Sequence, residues 1–401
     1  MKRPLSPAEW FDWLAGKDFP NIFATTARVE GSCDPDRLRA ALDAVSLRHP
    51  ALRSRVRARF YPFLPVITTD DVPRLPLRVV DGGDWAEAVE TELQQPFPAG
   101  GPLARVVLVR RASDFDLVLV SDHMLADAMS YAYLVRDILD RLARPDLPVT
   151  VQESPQGWDV LTRLQPPKKP EPPGPVLPPT VNETDNPAGR FTVSYRVWDA
   201  ERSAALVRRC REEGTTVHAA LATALLRALA QLEEGHPVRR LGSPISVRHW
   251  LPERYRAGFG GYVGPSTMVA VNTSVESGFW EAARSFKATL TARSSPMAFR
   301  RAEQVLRILY RLPSRLARVA VRRWLNDEYD AWLSNLTRLP IPTHYGPYHL
   351  TALHLAINTG GVRRRVVGVA ELGGRICLTA ASSSGPLMEK ALDLMADEKD
   401  S

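Results

Sequence analysis

The strongest constraint on the fold is the stretch of residues 115–142, in which an apolar strand leads directly into a helix. Phe115 and the run Leu117-Val118-Leu119-Val120 are typical of a strand that is buried on both faces. Beyond it, apolar residues recur on one face of a helix, at Leu134, Val135, Ile138, Leu139 and Leu142. Since a buried strand and an amphipathic helix pack on each other as sheet and helix layers, this stretch predicts an α/β (α+β) protein.

A histidine and an aspartate lie between that strand and that helix. His123 follows the strand, and Asp127 follows His123 by four residues. An imidazole titrates near neutral pH and commonly transfers protons in catalysis. On spacing alone the pair is a weak signal, because a surface histidine beside a helix-capping aspartate would have the same pattern.

The character of the chain changes between residues 145 and 188. Twelve of the 34 prolines lie there, and such a segment can form neither a helix nor a central strand. We therefore predict an N-terminal lobe of residues 1–144, a proline-rich connector of residues 145–188 and a C-terminal lobe of residues 189–401. A cleft between two such lobes is the usual place for a binding site.

Composition and charge argue against several classes of function. The 401 residues carry a net charge of +7, but aromatic residues are not interleaved with the basic ones as in a nucleic-acid stacking surface. We expect no nucleic-acid partner, no secretion signal and no membrane span, since no apolar run approaches the ~18 residues that a span needs. Three widely spaced cysteines, Cys33, Cys210 and Cys377, are typical of reduced thiols. We therefore expect a cytoplasmic protein, and a monomer.

Other chemical motifs are absent or weak. The chain has no G-x-S-x-G sequence, so a serine hydrolase would lack its nucleophile. The glycines at 258–264 do not follow a buried strand and lack the Lys-Ser/Thr pair of a phosphate loop, so we predict a turn. His344, His349 and His354 are five residues apart, a spacing that makes a metal site improbable.

Several segments taken together resemble one protein family. Around His123, the sequence Asp-His-Met-Leu-Ala-Asp-Ala is similar to the H-H-x-x-x-D-G motif of the condensation-domain and CoA-dependent acyltransferase superfamily. That superfamily includes nonribosomal peptide condensation domains, polyketide-associated acyltransferases and plant BAHD acyltransferases. Further segments match the family in kind and in order, at 5–9, 36–53, 96–105, 216–221, 244–248 and 334–342. The resemblance covers most of the chain.

The resemblance implies two chloramphenicol-acetyltransferase-like lobes, each a mixed sheet with flanking helices, and a tunnel between them. His123 would be the general base that takes a proton from the acceptor, or would position the acceptor by a hydrogen bond. Asp127 would be structural and would form an ion pair, with Arg248 as the matching arginine. The donor would be an acyl-CoA or a phosphopantetheine thioester, and no metal or permanently bound cofactor is expected.

The sequence departs from the family pattern at positions that the resemblance assigns to substrate binding. Asp122 replaces the first histidine of the motif, and Ala128 replaces its glycine, where one methyl group would narrow the tunnel. Thr337 replaces a glycine that often follows Ser334, Asn335 and the next leucine. Tyr262, Ser334 and Asn335 are the remaining residues that we expect to line the tunnel. These departures leave open a member of the family that binds its substrate but does not catalyse acyl transfer.

A basic stripe follows helical spacing in the second half of the chain. Its residues are Arg307, Arg311, Arg315, Arg318 and Arg322, interrupted by Pro313. A solvated helix face would explain the stripe. The functional interpretation is a docking surface for something anionic, which could be an acidic carrier protein, the phosphates of coenzyme A or a peripheral membrane contact.

These observations predict an acyltransferase that moves an acyl group from a CoA or carrier-protein thioester to a hydroxyl group, with ester formation. Amide formation on an amine acceptor is the first alternative. The second alternative is a condensation-like binding protein without catalytic activity.

Overall fold

The computed structural model describes residues 2–18, 20–57, 65–152, 191–232, 238–264, 268–274, 277–326, 330–358, 365–381 and 384–397. Its strands are β1 (Lys2–Pro4), β2 (Ile22–Glu30), β3 (Arg55–Arg57), β4 (Val66–Thr68), β5 (Leu77–Asp81), β6 (Ala104–Arg110), β7 (Asp114–Asp122), β8 (Val193–Trp198), β9 (Val238–Pro244), β10 (Met268–Ser274), β11 (Ala331–Arg338), β12 (His344–Tyr345), β13 (Tyr348–Asn358), β14 (Val366–Leu372) and β15 (Arg375–Ala381). Its helices are α1 (Pro7–Ala15), α2 (Pro35–Arg48), α3 (Trp85–Leu93), α4 (Ala128–Ala143), α5 (Ala200–Glu212), α6 (Val217–Leu232), α7 (Glu253–Arg256), α8 (Phe279–Arg293), α9 (Pro296–Tyr310), α10 (Ser314–Asn326) and α11 (Ser384–Asp397). Two short 3-10 turns cover Pro50–Arg53 and Arg248–Trp250.

The first large sheet has the strand order β12-β13-β2-β7-β6-β5. β7 lies between β2 and β6 and pairs antiparallel with both, so its two edges are filled. This central place explains the apolar run that the sequence shows there, since Leu117 to Val120 are at most 1% exposed. Only β5 and β6 are parallel in this sheet as described.

The second large sheet has the order β10-β9-β11-β14-β15-β8. Here β11 is parallel to both β9 and β14, while the other pairs are antiparallel. A small third sheet, β1-β4-β3, lies apart from both. The predicted α/β (α+β) class, with two lobes that each contain a mixed sheet and flanking helices, is confirmed.

The two lobes are interlocked by a strand. β13 belongs to the predicted C-terminal lobe, residues 189–401, yet it pairs with β2 over Ile22–Glu30 and, with β12, extends the first sheet. Where β13 passes β14, a Cβ atom on Gly368 would lie only 2.7 Å from the carbonyl oxygen of Leu355. The glycine therefore permits the close approach of the two sheets.

The predicted connector is only partly described, since residues 153–190 lie outside the described part. In the preceding stretch, the backbone nitrogen of Gln152 donates to Arg48 O at 2.8 Å, and its side-chain amide donates to Ala257 O at 3.2 Å. No described helix has the length and apolar character needed to cross a bilayer. All three cysteines are free and buried.

Candidate active site

His123 lies where β7 ends and the chain turns toward α4. Its backbone nitrogen donates to Asn21 O at 2.8 Å, which fixes the residue against the start of β2. The ring packs beside Phe23, with the ring centroids 5.2 Å apart. Among the described residues, no side chain or carbonyl forms a hydrogen bond with the imidazole, which faces a cavity. The histidine is therefore available to a ligand in that cavity.

The cavity has a volume of about 560 Å³ and is lined by residues of both lobes. The first lobe contributes residues around β2 and the β7–α4 turn, including Phe23, His123 and Ala128. The second lobe contributes β11 and β14, with Trp332, Ser334, Asn335, Leu336 and Gly368, and the loop before the turn Arg248–Trp250. A volume of several hundred Å³ is typical of pockets that hold a small organic ligand.

Asp127 performs two structural tasks at the N-terminus of α4. As the N-cap, it accepts the backbone N–H of Ser130 on Oδ1 at 2.8 Å. Its other oxygen, Oδ2, accepts the backbone N–H of Tyr262 at 3.1 Å. One carboxylate thus binds its own helix and a loop of the opposite lobe.

Arg248 forms the ion pair that the resemblance implies for Asp127. Its Nη2 lies 2.7 Å from Asp127 Oδ1, and the two side chains are 8% and 4% exposed. Its Nη1 donates to the carbonyl oxygens of Arg256 at 2.7 Å and Gly258 at 2.9 Å. The guanidinium also lies 4.2 Å from the ring centroid of Tyr262. Because these groups hold both terminal nitrogens of the guanidinium, the pair acts as a fixed connection between the lobes.

The glycine-rich stretch takes part in the same connection. Gly260 O accepts the backbone N–H of Asp127 at 3.2 Å, and Gly260 N donates to Ser130 Oγ at 3.1 Å. Sequence analysis predicted only a turn here. The structure adds that this turn is hydrogen-bonded to the first turn of α4, which no local pattern indicates.

The other predicted substrate-binding residues divide into two groups. Ala128, Ser334 and Asn335 line the cavity. Tyr262 and Asp122 are not among the residues that line it. The tyrosine is 1% exposed, and its ring lies against the guanidinium of Arg248. For Tyr262 the prediction of a tunnel-lining side chain is wrong, and its neighbours Val263 and Gly264 line the cavity instead.

Asp122 has an unusual titration for a carboxyl group. Its Oδ1 accepts the backbone N–H of Met124 at 3.0 Å. Burial disfavours the carboxylate and raises its pKa to about 7, and nearby Asp12 acts in the same direction. The group next to His123 therefore changes charge near neutral pH.

Thr337 has the backbone conformation that a glycine would favour. Its φ is +55°, which β-branched residues rarely adopt, and its N–H donates to Asn335 Oδ1 at 2.7 Å. The pairing of β11 with β14 shifts register between Asn335 and Arg338. Thr337 thus lies in the bulge of β11 that shapes this wall of the cavity.

Sequence analysis did not identify His218, a second histidine of the cavity wall. It lies at the start of α6, and its Nε2 is 2.8 Å from Ser243 Oγ. Burial lowers its pKa to about 4, so the ring is neutral at pH 7. Its segment, 216–221, matched the family, but nothing local distinguishes this histidine from an ordinary helix residue.

The basic stripe does not form one continuous helix face. Arg307 and Arg311 belong to α9 or its end, and Arg315 and Arg318 to α10, with a break at Pro313. Arg307 pairs with Glu303 at 3.0 Å, and Arg318 pairs with Asp18. The side chain of Arg322 lies outside the described part. Among the described residues, no cluster of His, Cys, Asp and Glu suits a metal ion.

Comparison with known sequences gives a partial match, and no family model matches the chain. It is 29% identical over 262 residues to phenyloxazoline synthase MbtB of Mycobacterium bovis, which covers 57% of this chain and 18% of that protein. The same enzyme of Mycobacterium tuberculosis is 28% identical over 262 residues, with the same coverage. The chain thus spans less than a fifth of the length of the curated relatives it matches.

Comparison with solved structures matches nearly the whole chain. Polyketide synthase associated protein 5 from Mycobacterium tuberculosis superposes with a TM-score of 0.69 at 17% identity, over 98% of this chain and 96% of that one. The first condensation domain of the CDA synthetase gives 0.68 at 15%, over 98% and 97%. Trichothecene 15-O-acetyltransferase from Fusarium sporotrichioides gives 0.68 at 12%, over 98% and 95%. The chain has the fold of condensation domains and related acyltransferases, which confirms the resemblance at the level of the fold.

Proposed function

We propose that the protein is an acyltransferase that moves an acyl group from a thioester of coenzyme A or of a carrier protein to a hydroxyl group, giving an ester. The observation that carries the proposal is the position of His123, whose imidazole faces a cavity lined by both lobes. The fold shared with condensation domains and an O-acetyltransferase supports the class of reaction.

His123 has the features that a proton acceptor for this reaction needs. As the acceptor oxygen attacks the thioester carbonyl carbon, the imidazole takes the hydroxyl proton. The carbon–sulfur bond then breaks, and the proton passes to the leaving thiolate, so that thiol and ester are the products. A base of this kind typically contributes about 10²–10⁴-fold to the rate.

Asp127 and Arg248 support the reaction indirectly in this proposal. Their ion pair holds the β7–α4 turn against the second lobe, so that His123 keeps its place relative to Ser334 and Asn335 across the cavity. The Asp127 carboxylate is not free to act as a base, since it accepts hydrogen bonds from Ser130, Arg248 and Tyr262.

Amide formation on an amine acceptor is the second candidate, and one observation favours it. The curated relatives named above are phenyloxazoline synthases, and an oxazoline ring is made from an amide of a β-hydroxy amine by loss of water.

Thiol release from a panel of acyl-CoAs, short to long, with pooled alcohols and amines, tests the proposal. We expect release that requires an acceptor and falls by about 10²–10⁴-fold in His123→Ala. His349→Gln is the matched control, because that histidine is partly exposed, pairs with Glu30 and is not among the residues that line the cavity. A rate that is unchanged in His123→Ala would refute the role of the base.

Product masses separate the two candidates. An ester product supports the first, an amide supports the second, and an amide lighter by one water indicates ring closure. If acyl-CoA gives no release, the same assay with an acyl-loaded carrier protein follows. Binding of either donor without any release would identify a binding protein instead of an enzyme.

A further inference from the structure

The helix pair α9 and α10 combines a firmly anchored inner face with an unusual outer face. On the inner side, Tyr310 Oη donates to Leu5 O at 2.8 Å, and its ring packs edge-on against Trp10 at 5.4 Å. Arg318 forms an ion pair with Asp18 just beyond α1. Helices α9 and α10 are therefore fixed to the body of the protein through α1.

The outer face of this pair exposes large aliphatic side chains. In the described part, eleven large hydrophobic residues are strongly exposed, and five of them belong to this short segment. They are Val305 at 49%, Ile308 at 62%, Leu312 at 38%, Leu316 at 61% and Val319 at 67%. Val305 and Ile308 lie three residues apart on α9, Leu316 and Val319 three residues apart on α10, and Leu312 lies in the turn between the helices. On each helix these exposed residues share a face that is distinct from the one with the buried Leu306 or Ala317. Proteins rarely expose such a concentration of apolar surface unless something covers it.

The same segment is strongly basic. Residues 296–326 contain eight arginines and a single acidic residue, Glu303, which is 1% exposed on its side chain and pairs with Arg307. Arg301, Arg311 and Arg315 are exposed, and none of them has an ion-pair partner among the described residues. Whatever covers the aliphatic side chains must therefore also accept a row of positive charges.

We propose that the pair α9 and α10 docks on the surface of an anionic lipid membrane. Helices that lie in a membrane interface have an apolar face flanked by Lys and Arg, and they bind through buried apolar area together with attraction to anionic headgroups. Exposed aliphatic residues and exposed basic residues occur together along both helices. One of these helices is 15 residues long, which is roughly 22 Å. A phosphate group of a small ligand would occupy only a fraction of this length.

An acidic protein partner fits the exposed residues less well. Protein interfaces are enriched in Tyr, Trp and Phe, whereas the strongly exposed hydrophobic residues described on this face are Val, Ile and Leu. These aliphatic chains gain most from entering the region between headgroups and acyl chains. The proposal does not depend on acyl transfer, and binding can be measured without turnover.

The inner side of α9, opposite the exposed face, lies close to the cavity. Phe299 of α9 packs against Trp250, with ring centroids 5.8 Å apart, and Trp250 ends the turn that carries Arg248. His249 of the same turn lines the cavity. A protein bound by the exposed face would hold that side of the cavity near the lipid surface.

Vesicle sedimentation tests the proposal on the full chain. Vesicles of phosphatidylcholine alone are compared with vesicles of phosphatidylcholine and phosphatidylglycerol. We expect binding to the mixed vesicles, weakened by salt, and little binding to the neutral ones. The double variant Arg311→Gln/Arg315→Gln should bind roughly thirtyfold less tightly, since each basic residue near an anionic surface contributes about fivefold.

Two further variants separate charge from apolar insertion. Ile308→Ser/Leu316→Ser should also lose binding, although it keeps every charge. Arg208→Glu, an exposed change on α5, and Val151→Ser, a 66% exposed valine, are the matched controls and should bind as the native protein does. Equal binding to neutral vesicles, no loss in either double variant, or capture of an acidic carrier protein without any vesicle binding would each overturn the proposal.

Discussion

Among single-residue contacts, the Asp127–Arg248 ion pair is the one whose loss we expect to lower the stability of the fold most. Both side chains are nearly buried, and each makes several hydrogen bonds besides the ion pair. Removing one partner of such a pair leaves the other charge buried and unpaired.

We therefore expect Arg248→Ala to lower the free energy of unfolding by about 3–5 kcal/mol. The double variant Asp127→Ala/Arg248→Ala should lose less than the sum of the two single changes, because neither charge is then stranded. Denaturant unfolding measures both. Arg284→Ala is the control, since its pair with Glu213 is half exposed and should cost under about 1 kcal/mol. Equal losses for Arg248→Ala and Arg284→Ala would contradict the structural role.

The size of the side chain at position 128 should determine which acceptors the cavity admits, if the proposed function is correct. The Ala128 methyl group lines the cavity beside His123, so Ala128→Gly enlarges this wall and Ala128→Val narrows it. One methyl or methylene group in a pocket is worth about 10–200-fold in discrimination. We expect kcat/KM for the bulkiest acceptors to rise in Ala128→Gly and to fall in Ala128→Val. Identical acceptor profiles in all three proteins would mean that this position does not select the acceptor.

At the scale of elements, the crossing of β13 and β14 depends on Gly368. A Cβ atom there would lie 2.7 Å from the carbonyl oxygen of Leu355 and 2.9 Å from its Cβ, so backbone would have to move. We expect Gly368→Ala to lower the free energy of unfolding by about 1–3 kcal/mol.

The control for this change is Gly261→Ala, because a Cβ atom at Gly261 meets nothing within 4 Å. Denaturant unfolding of both variants makes the comparison. Since Gly368 also lines the cavity, its variant should lose donor or acceptor binding as well. A loss of stability no greater than that of Gly261→Ala would mean that the sheets can separate at little cost.

Element by element, the sequence predicts local structure better than long-range pairing. β7 and α4 could be predicted because an apolar run and a helical period are properties of neighbouring residues. The pairing of β13 with β2 could not be predicted in this way, since the two strands lie more than 300 residues apart in the sequence. Thr337 illustrates a different limit, because nothing in a threonine predicts a φ of +55°. The hydrogen bond that the Thr337 N–H donates to Asn335 Oδ1 depends on the bulge itself.

At the scale of the whole molecule, buried titratable groups determine how stability changes with pH. Burial lowers the pKa of His218 to about 4 and that of His354 to about 3. Below their ordinary pKa of 6.5, the unfolded chain binds two protons that the folded protein does not, so stability falls as the pH drops toward 4. Asp122 acts in the opposite direction, because between about pH 4 and 7 the folded protein holds a proton that the unfolded chain has lost.

We therefore expect the free energy of unfolding to decrease by about 1.4 kcal/mol per pH unit, one net proton, as the pH falls from 6 to 5. His354→Gln should flatten this slope, and Asp122→Asn should steepen it by a similar amount. Denaturant unfolding at a series of pH values gives the slopes. The same slope in all three proteins would show that these groups do not control acid stability.

The pairing of β13 with β2 also affects how the chain folds during its synthesis. On the ribosome, β2 and β7 emerge early, but the β13 edge of β2 has no partner until residues 348–358 leave the exit tunnel. Until then the nascent chain presents an open strand edge, which invites pairing with a neighbouring polypeptide. Completion of the first sheet therefore waits for residues 348–358, and a chain truncated before residue 348 would keep the edge of β2 open.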